Sequence, residues 1–460
     1  MKSNRNLLAM ACALAMACAT ATAADDASKL GKELTPLGGE RAGNADGTLP
    51  AWQGYEAPTA GYAVGKYRGD FFKHKDEKPL FSIDASNVDK YAARLTPGQV
   101  QLLKQIKGYR MDVYPTHRTC DAPAFVDENT KKNVGFARVG DEGWYLKEAW
   151  VPGVPFPFPK TGVEVMLNGK YHYHGIGVDY KDIPTAVSPR KGATEWIKAA
   201  DSLIWYMPWA KKGSTQLSTL PPVEYYINFS YTEPTALAGQ ALNVTMYADK
   251  PGSETFYYFP GQRRVRRMPT YAYDAPQIGF ENQYTMDEPF VFMGPMDRFD
   301  WKLVTKKEVY VPYNSFGAYN YKENFYDFAK QDFIDPKQRR YELHRVWVVE
   351  ATVKHGMRHT APKRTYYIDE DSWTYLAAED YDARGNIWKV REGFQIPIWE
   401  LHGACDSAAF VQYNLSDNRY MLDMHAVGVG RDIIWMAEPS GPRFNAGYYT
   451  SDNLRAISER

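Results

Sequence analysis

The chain has 460 residues, 55 basic and 55 acidic side chains, and a formal net charge of zero. Nucleic-acid binding needs a basic surplus gathered on one face, so this balance excludes a general polyanion partner. Aromatic residues make up 15% of the chain, with 34 Tyr and 12 Trp, a content suited to strands and to apolar binding surfaces.

Lys2 and Arg5 precede an apolar run from Leu7 to Ala19, and Ala21-Thr22-Ala23 forms an A-x-A cleavage site ahead of Asp25 and Asp26. A positive flank, a short apolar core and small exit residues predict a signal peptide over residues 1–23 and a protein that works outside the cytoplasm. The core is shorter than the roughly 20 residues of a bilayer span. Cys12 and Cys18 each follow Ala-Met-Ala, but a lipobox prefers Leu where Ala stands, so lipidation is not expected. Of the four Cys, only Cys120 and Cys405 lie beyond this segment. In an oxidising compartment such a pair reads as one disulfide, the alternative being two separate buried thiols.

Residues 24–80 are rich in Gly, Pro and polar side chains and read as an extended N-terminal arm. Asn44 to Gly47 and Pro50 supply turn chemistry, and Trp52 is the expected anchor. Residues 81–460 read as one large domain. Thr96-Pro97-Gly98-Gln99 is a helix start with a capping box, and Gly108 stops that helix. Trp144 to Val151 and Gly162 to Tyr173 read as strands around a Pro-Phe alternation. Ala193 to Tyr206, with Trp196, Ala199, Ala200 and Leu203 at helical spacing, reads as a second helix ended by Pro208. Val223 to Tyr231, Ala241 to Tyr247, Glu254 to Phe259 and Arg263 to Met268 are short strands, and their tight turns imply a meander. From Tyr341 to Glu392 the alternation is clearest. Leu343, Trp347, Val349 and Ala351 are expected to face a core while Glu342, His344 and Glu350 face water. The whole is mainly β with a few helices.

Tyr171-His172-Tyr173-His174 would place two His on one strand face, where Asp179 or Glu164 could complete a metal site; ordinary surface histidines are the simpler expectation. Asp369-Glu370-Asp371 reads as a solvated hairpin tip rather than a calcium loop. No nucleophile elbow, phosphate loop, dinucleotide fingerprint or zincin motif occurs, so no catalytic residue, metal or cofactor is expected. Arg263-Arg264-Val265-Arg266-Arg267 reads as a strand with Arg264 and Arg266 on one side. It is either a solvated edge or a basic rim for an anionic group.

The stretch from Leu34 to Trp52 resembles the opening signature of a large Gram-negative periplasmic family of undefined function, often labelled outer-membrane lipoprotein-sorting protein. The resemblance continues through Tyr258 to Asp274, Asn282-Gln283-Tyr284, Asp297 to Leu303, Arg340 to Trp347 and Tyr381 to Gly385. It implies a LolA/LolB-like fold, a curved antiparallel sheet forming an unclosed half-barrel with helices plugging its hollow. It also implies a periplasmic carrier of a lipid or other hydrophobic molecule, working beside an RND-type inner-membrane transporter and an outer-membrane protein. On that reading Arg263, Arg264, Arg266 and Arg267 sit at the mouth of the hollow, with Trp347 and Tyr258 in its lining. The alternatives are a metal-dependent periplasmic enzyme acting on an aromatic or lipid substrate, and a non-catalytic scaffold of an export complex.

Overall fold

The computed structural model describes residues 26–268 and 272–459, so the signal-peptide and lipidation expectations lie outside the described residues. Among those residues no helix is long and apolar enough to cross a membrane.

One 16-stranded sheet organises the chain. Its strands are β1 Phe81–Ile83, β2 Met111–Val113, β3 Gly177–Val187, β4 Ile197–Tyr206, β5 Val223–Glu233, β6 Ala241–Tyr247, β7 Ser253–Phe259, β8 Arg264–Arg267, β9 Phe299–Pro312, β10 Tyr341–Val353, β11 Lys363–Asp369, β12 Tyr375–Tyr381, β13 Ile387–Gly393, β14 Phe410–Asn414, β15 Arg419–Asp423 and β16 Ile434–Met436. The hydrogen-bonded path runs β1-β2-β10-β11-β12-β13-β14-β15-β3-β4-β5-β6-β7-β8, with β9 on β10 and β16 on β3. Every pairing is antiparallel except the single Tyr341–Val113 contact of β10 with β2. The sheet curves without closing, as expected for a half-barrel, and β8 is left as an edge.

Among the described residues, four α-helices of eight or more residues dress it: α1 Pro97–Gln105, α2 Ala124–Asn133, α3 Gly162–Lys170 and α4 Ser451–Ser458. Helix α1 starts on the predicted capping box, Thr96 with Gln99. Lys389 and Arg391 point to the inner face, so Val390 between them points outward. A Cβ added at Gly98 would lie 2.8 Å from the Val390 side chain, which places α1 on the outside. Helix α3 plugs the inner face at two glycines. A Cβ on Gly162 would come within 2.8 Å of the Trp301 and Lys302 backbone, and one on Gly169 within 2.5 Å of the Tyr375 ring.

Three expectations are corrected. Gly162 to Lys170 is a helix, not a strand, and starts on a second capping box, Thr161 with Glu164. Residues 197–206 are a strand, not a helix, because ladders with β3 and β5 on both flanks outweigh a weak local preference. The acids Asp369, Glu370 and Asp371 are buried, not solvated. Segment 26–80 lies over them: Trp373 Nε1 donates to Leu37 O at 2.9 Å, and Trp52 Nε1 to Cys120 O at 2.9 Å. Glu342 and His344 are buried as well, beneath His117, Asn314 and Tyr313, so β10 has no water-facing side at that end. Cys120 and Cys405 are joined in a disulfide.

Candidate functional site

On β4, β5 and β6 the register sets apolar side chains in rows across the inner face. Leu203, Phe229 and Leu242 are neighbours, as are Trp205, Ile227 and Val244, and then Tyr225 and Met246. Period-two alternation sends all of them to one side of the pleat. They stay uncovered by any helix. A segment without regular structure, 272–295, arches over them instead and leaves a hollow of about 810 Å³, counting the space open at its mouth. From the cover Phe280, Met286, Phe290 and Met293 complete an apolar wall.

The cover is fastened by charge. Arg364 on β11 donates to Asp287 at 2.6 Å, and Lys389 on β13 to Glu288 at 2.6 Å. Both acids are buried. Against the cost of burial, Arg364 and His359 hold the Asp287 carboxyl well below the usual range. Arg391 Nε donates to Val291 O at 3.1 Å. Val291 has φ 70°, a conformation that a β-branched residue takes only under constraint, at a cost of about 1–3 kcal/mol. The buried arginine therefore holds a strained turn against the roof of the hollow.

One polar cluster interrupts the apolar wall. Asp201, Thr185, Asp423 and Tyr284 meet there. Thr185 Oγ1 donates to Asp423 Oδ1 at 2.7 Å, and Tyr284 OH donates to Asp423 Oδ2. Asp201 Oδ1 is buried with no hydrogen-bond partner. Burial, with Asp423 beside it, holds the Asp201 carboxyl well above the usual carboxylate range. Burial raises Asp423 as well, and two such groups side by side cannot both be charged. Asp201 is thus a neutral acid, able to donate one hydrogen bond into an otherwise greasy space.

The arginine strand lies at the edge of the sheet, beyond this hollow, with Arg263, Arg264, Arg266 and Arg267 exposed. Arg266 pairs with Tyr257, which pairs in turn with Leu242, so Arg264 and Arg266 share the face that carries the hollow. Arg267 pairs with Glu254 at 3.2 Å. Tyr258 is on the opposite face, packed with Ala241 and Leu454 of α4. Trp347 stacks on Trp373 at 6.1 Å, away from the hollow. None of these six residues lines the cavity. Sequence reading missed Asp201, the cover and β4, which it took for a helix; of the floor, the strands β5 and β6 were legible.

His172 and His174 lie in the turn after α3, not on a strand. Neither expected carboxylate reaches them: Glu164 serves the capping box, and Asp179 is bound to Arg443 at 2.7 Å. Asp406 stands there instead.

Compared with known proteins, the chain matches the family described as "Protein of unknown function (DUF1329)" over residues 82–455. A Pseudomonas aeruginosa relative, the uncharacterized protein PA3922, is 39% identical over 379 residues, spanning 80% of this chain and 81% of its own length. Among solved structures, a Vibrio parahaemolyticus domain named for outer-membrane lipoprotein sorting is similar at 12% identity and TM-score 0.42, over 64% of this chain and 97% of that one. A LolA superfamily protein from Nitrosomonas europaea is similar at 11% identity and TM-score 0.35, over 64% of this chain and 99% of that one.

Proposed function

This chain belongs to the DUF1329 family, and from that premise we propose that it is a periplasmic carrier that takes up a lipid or other hydrophobic molecule in the hollow beneath the 272–295 cover. The observation that supports this reading is an apolar cavity floored by three strand rows and roofed by an ion-paired segment, with one neutral acid inside. Burial is worth about 25 cal/mol per Å² of apolar area, so a long hydrocarbon needs no further polar reader to bind well. Asp201 suits a guest bearing a hydroxyl, carbonyl or carboxylic acid. Arg264 and Arg266, one strand beyond the floor on the same face, suit an anionic end that emerges from the mouth. The partners on this reading are an RND-type inner-membrane transporter and an outer-membrane protein.

Native mass spectrometry of the purified chain tests the proposal, together with organic extraction. A co-purifying amphiphile, or saturable uptake of a fluorescent fatty acid displaced by unlabelled lipid, supports it. Repeatedly empty protein that takes up neither fatty acid nor sterol sinks it.

A further inference from the structure

We propose that His172, His174 and Asp406 form a binding site for a zinc-class divalent transition metal in the wall between α3 and β16. The inference is independent of the carrier reading. One ligand atom from each residue lies within 4.8 Å of the others. His172 Nε2 is 2.8 Å from His174 Nδ1 and 4.0 Å from Asp406 Oδ1. A tetrahedral ion held at about 2.0–2.2 Å from N and O ligands sets those separations near ~3.3 Å. The two observed distances bracket that value, so small side-chain rotations close the site.

The surroundings are those of a metal site. His172 Nδ1 is 2.6 Å from Gly169 O. A carbonyl only accepts, so the proton is on Nδ1, and the Nε2 lone pair faces the site, where it accepts from His174 Nδ1 until an ion displaces that proton. Asp406 Oδ2 accepts from Trp435 Nε1 at 2.7 Å, which fixes the carboxylate and turns Oδ1 toward the histidines. His174 Nε2 is buried without a partner. Among the described residues, the only side chain within ion-pairing distance of Asp406 is His172 itself. A divalent cation would supply the positive charge that this buried carboxylate lacks.

Each of the other two groupings among the described residues already has an arginine on one of its acids. Arg118 binds Asp371 in the set with His344 and Asp369. Arg340 binds Glu77 in the set with His74 and His117. The His172 set instead faces a space of about 440 Å³, lined by Trp205, Tyr225, Phe290 and Met293. Three of those residues also line the large hollow, so a fourth coordination position would open toward it.

The test uses the full chain, stripped with a chelator and titrated with Co²⁺. Visible d–d bands of tetrahedral cobalt should saturate at one equivalent and vanish when Zn²⁺ is added. Asp406→Asn and His174→Ala should each weaken binding by about a hundredfold or more, and His74→Ala should leave it unchanged. X-ray absorption on the zinc-loaded wild type needs no variant: two imidazoles and one carboxylate around the ion agree with the assignment. Absent d–d bands, all-oxygen coordination, or full binding by a folded His174→Ala protein would overturn it and leave a plain His–His hydrogen bond. Fatty-acid uptake by the metal-free chain is a separate readout, so failure here does not touch the carrier proposal.

Discussion

Arg118 grips Asp371 at two points, Nε to Oδ2 at 2.8 Å and Nη2 to Oδ1 at 2.7 Å, with both side chains 2% exposed. The same guanidinium donates to Glu40 O at 2.6 Å and Pro50 O at 3.3 Å, so one side chain holds the N-terminal arm on the sheet. Removing one member of a buried pair strands the other charge, at a cost of about 3–5 kcal/mol. Arg118→Ala should lower stability by that amount in urea unfolding and expose the arm to proteases ahead of the body. Arg118→Lys should recover little, since an ammonium cannot reproduce the planar fork. An arm equally protected in the alanine variant would refute this account.

Filling the hollow should block uptake while sparing the fold. Val244 sits mid-row beside Ile227 and faces the cavity. Val244→Trp should reduce binding of a fluorescent fatty acid at least tenfold by occupying its space. The overpacking cost is about 1–3 kcal/mol, small enough for near-UV dichroism to remain native. Unchanged affinity in a folded variant would show that the guest binds elsewhere.

Acid should destabilise the chain partly through His425. Burial, and then the charge of Lys198, push this imidazole down to about 3 from its ordinary 6.5. A depressed group stabilises fully above its unfolded value, and that contribution is lost as pH falls toward the folded one. Between pH 6.5 and about 3 the wild type should lose about 1.4 kcal/mol per pH unit on this account. His425→Phe, placed between Phe325 and Phe328, should flatten that slope in denaturant titrations at several pH values. A parallel slope in the variant would rule the residue out.

Breaking the disulfide should cost stability out of proportion to its local contacts. Cys120 and Cys405 are separated by 285 residues. A bridge closing so long a loop is typically worth about 2–4 kcal/mol through the unfolded chain. Paired Cys120→Ala and Cys405→Ala substitutions should therefore shift the urea midpoint down by that amount. A reductant should shift the wild type to match and leave the double variant unmoved.

Much of the sheet was legible because strand period and turn chemistry are local. The meander from Val223 and the hairpins after Tyr341 fall where alternation and Gly- or Asp-bearing turns put them. What failed depended on distant neighbours. Residues 197–206 carry a spacing compatible with a helix, and only ladders on both flanks decide otherwise. Glu342 reads as water-facing, yet it meets Arg340, Asn314 and the His117 backbone in a dry setting. Glu370 and Asp371 are matched by Arg118, Arg345 and Lys306, and Asp369 accepts from Tyr313 and Gln395, none of which is a sequence neighbour. At the candidate sites, the strands β5 and β6 of the floor and the His172–His174 pair were visible, though the pair lies on a turn and not on a strand. The irregular cover has no period to detect, and Asp406 comes from more than 200 residues away.

The arm also sets an order of assembly. Synthesis delivers Leu37 and Glu40 early, but Lys306, Arg345 and Trp373, which bind them, come far later in the chain. Until those later strands exist, the leading segment has only Arg118 and the Cys120 carbonyl to hold it. The first stretch made is therefore among the last to settle. A chaperone that shields apolar and unpaired segments would find its longest-lived target there, and truncating the chain before residue 371 would remove Trp373 and the acid that positions Arg118.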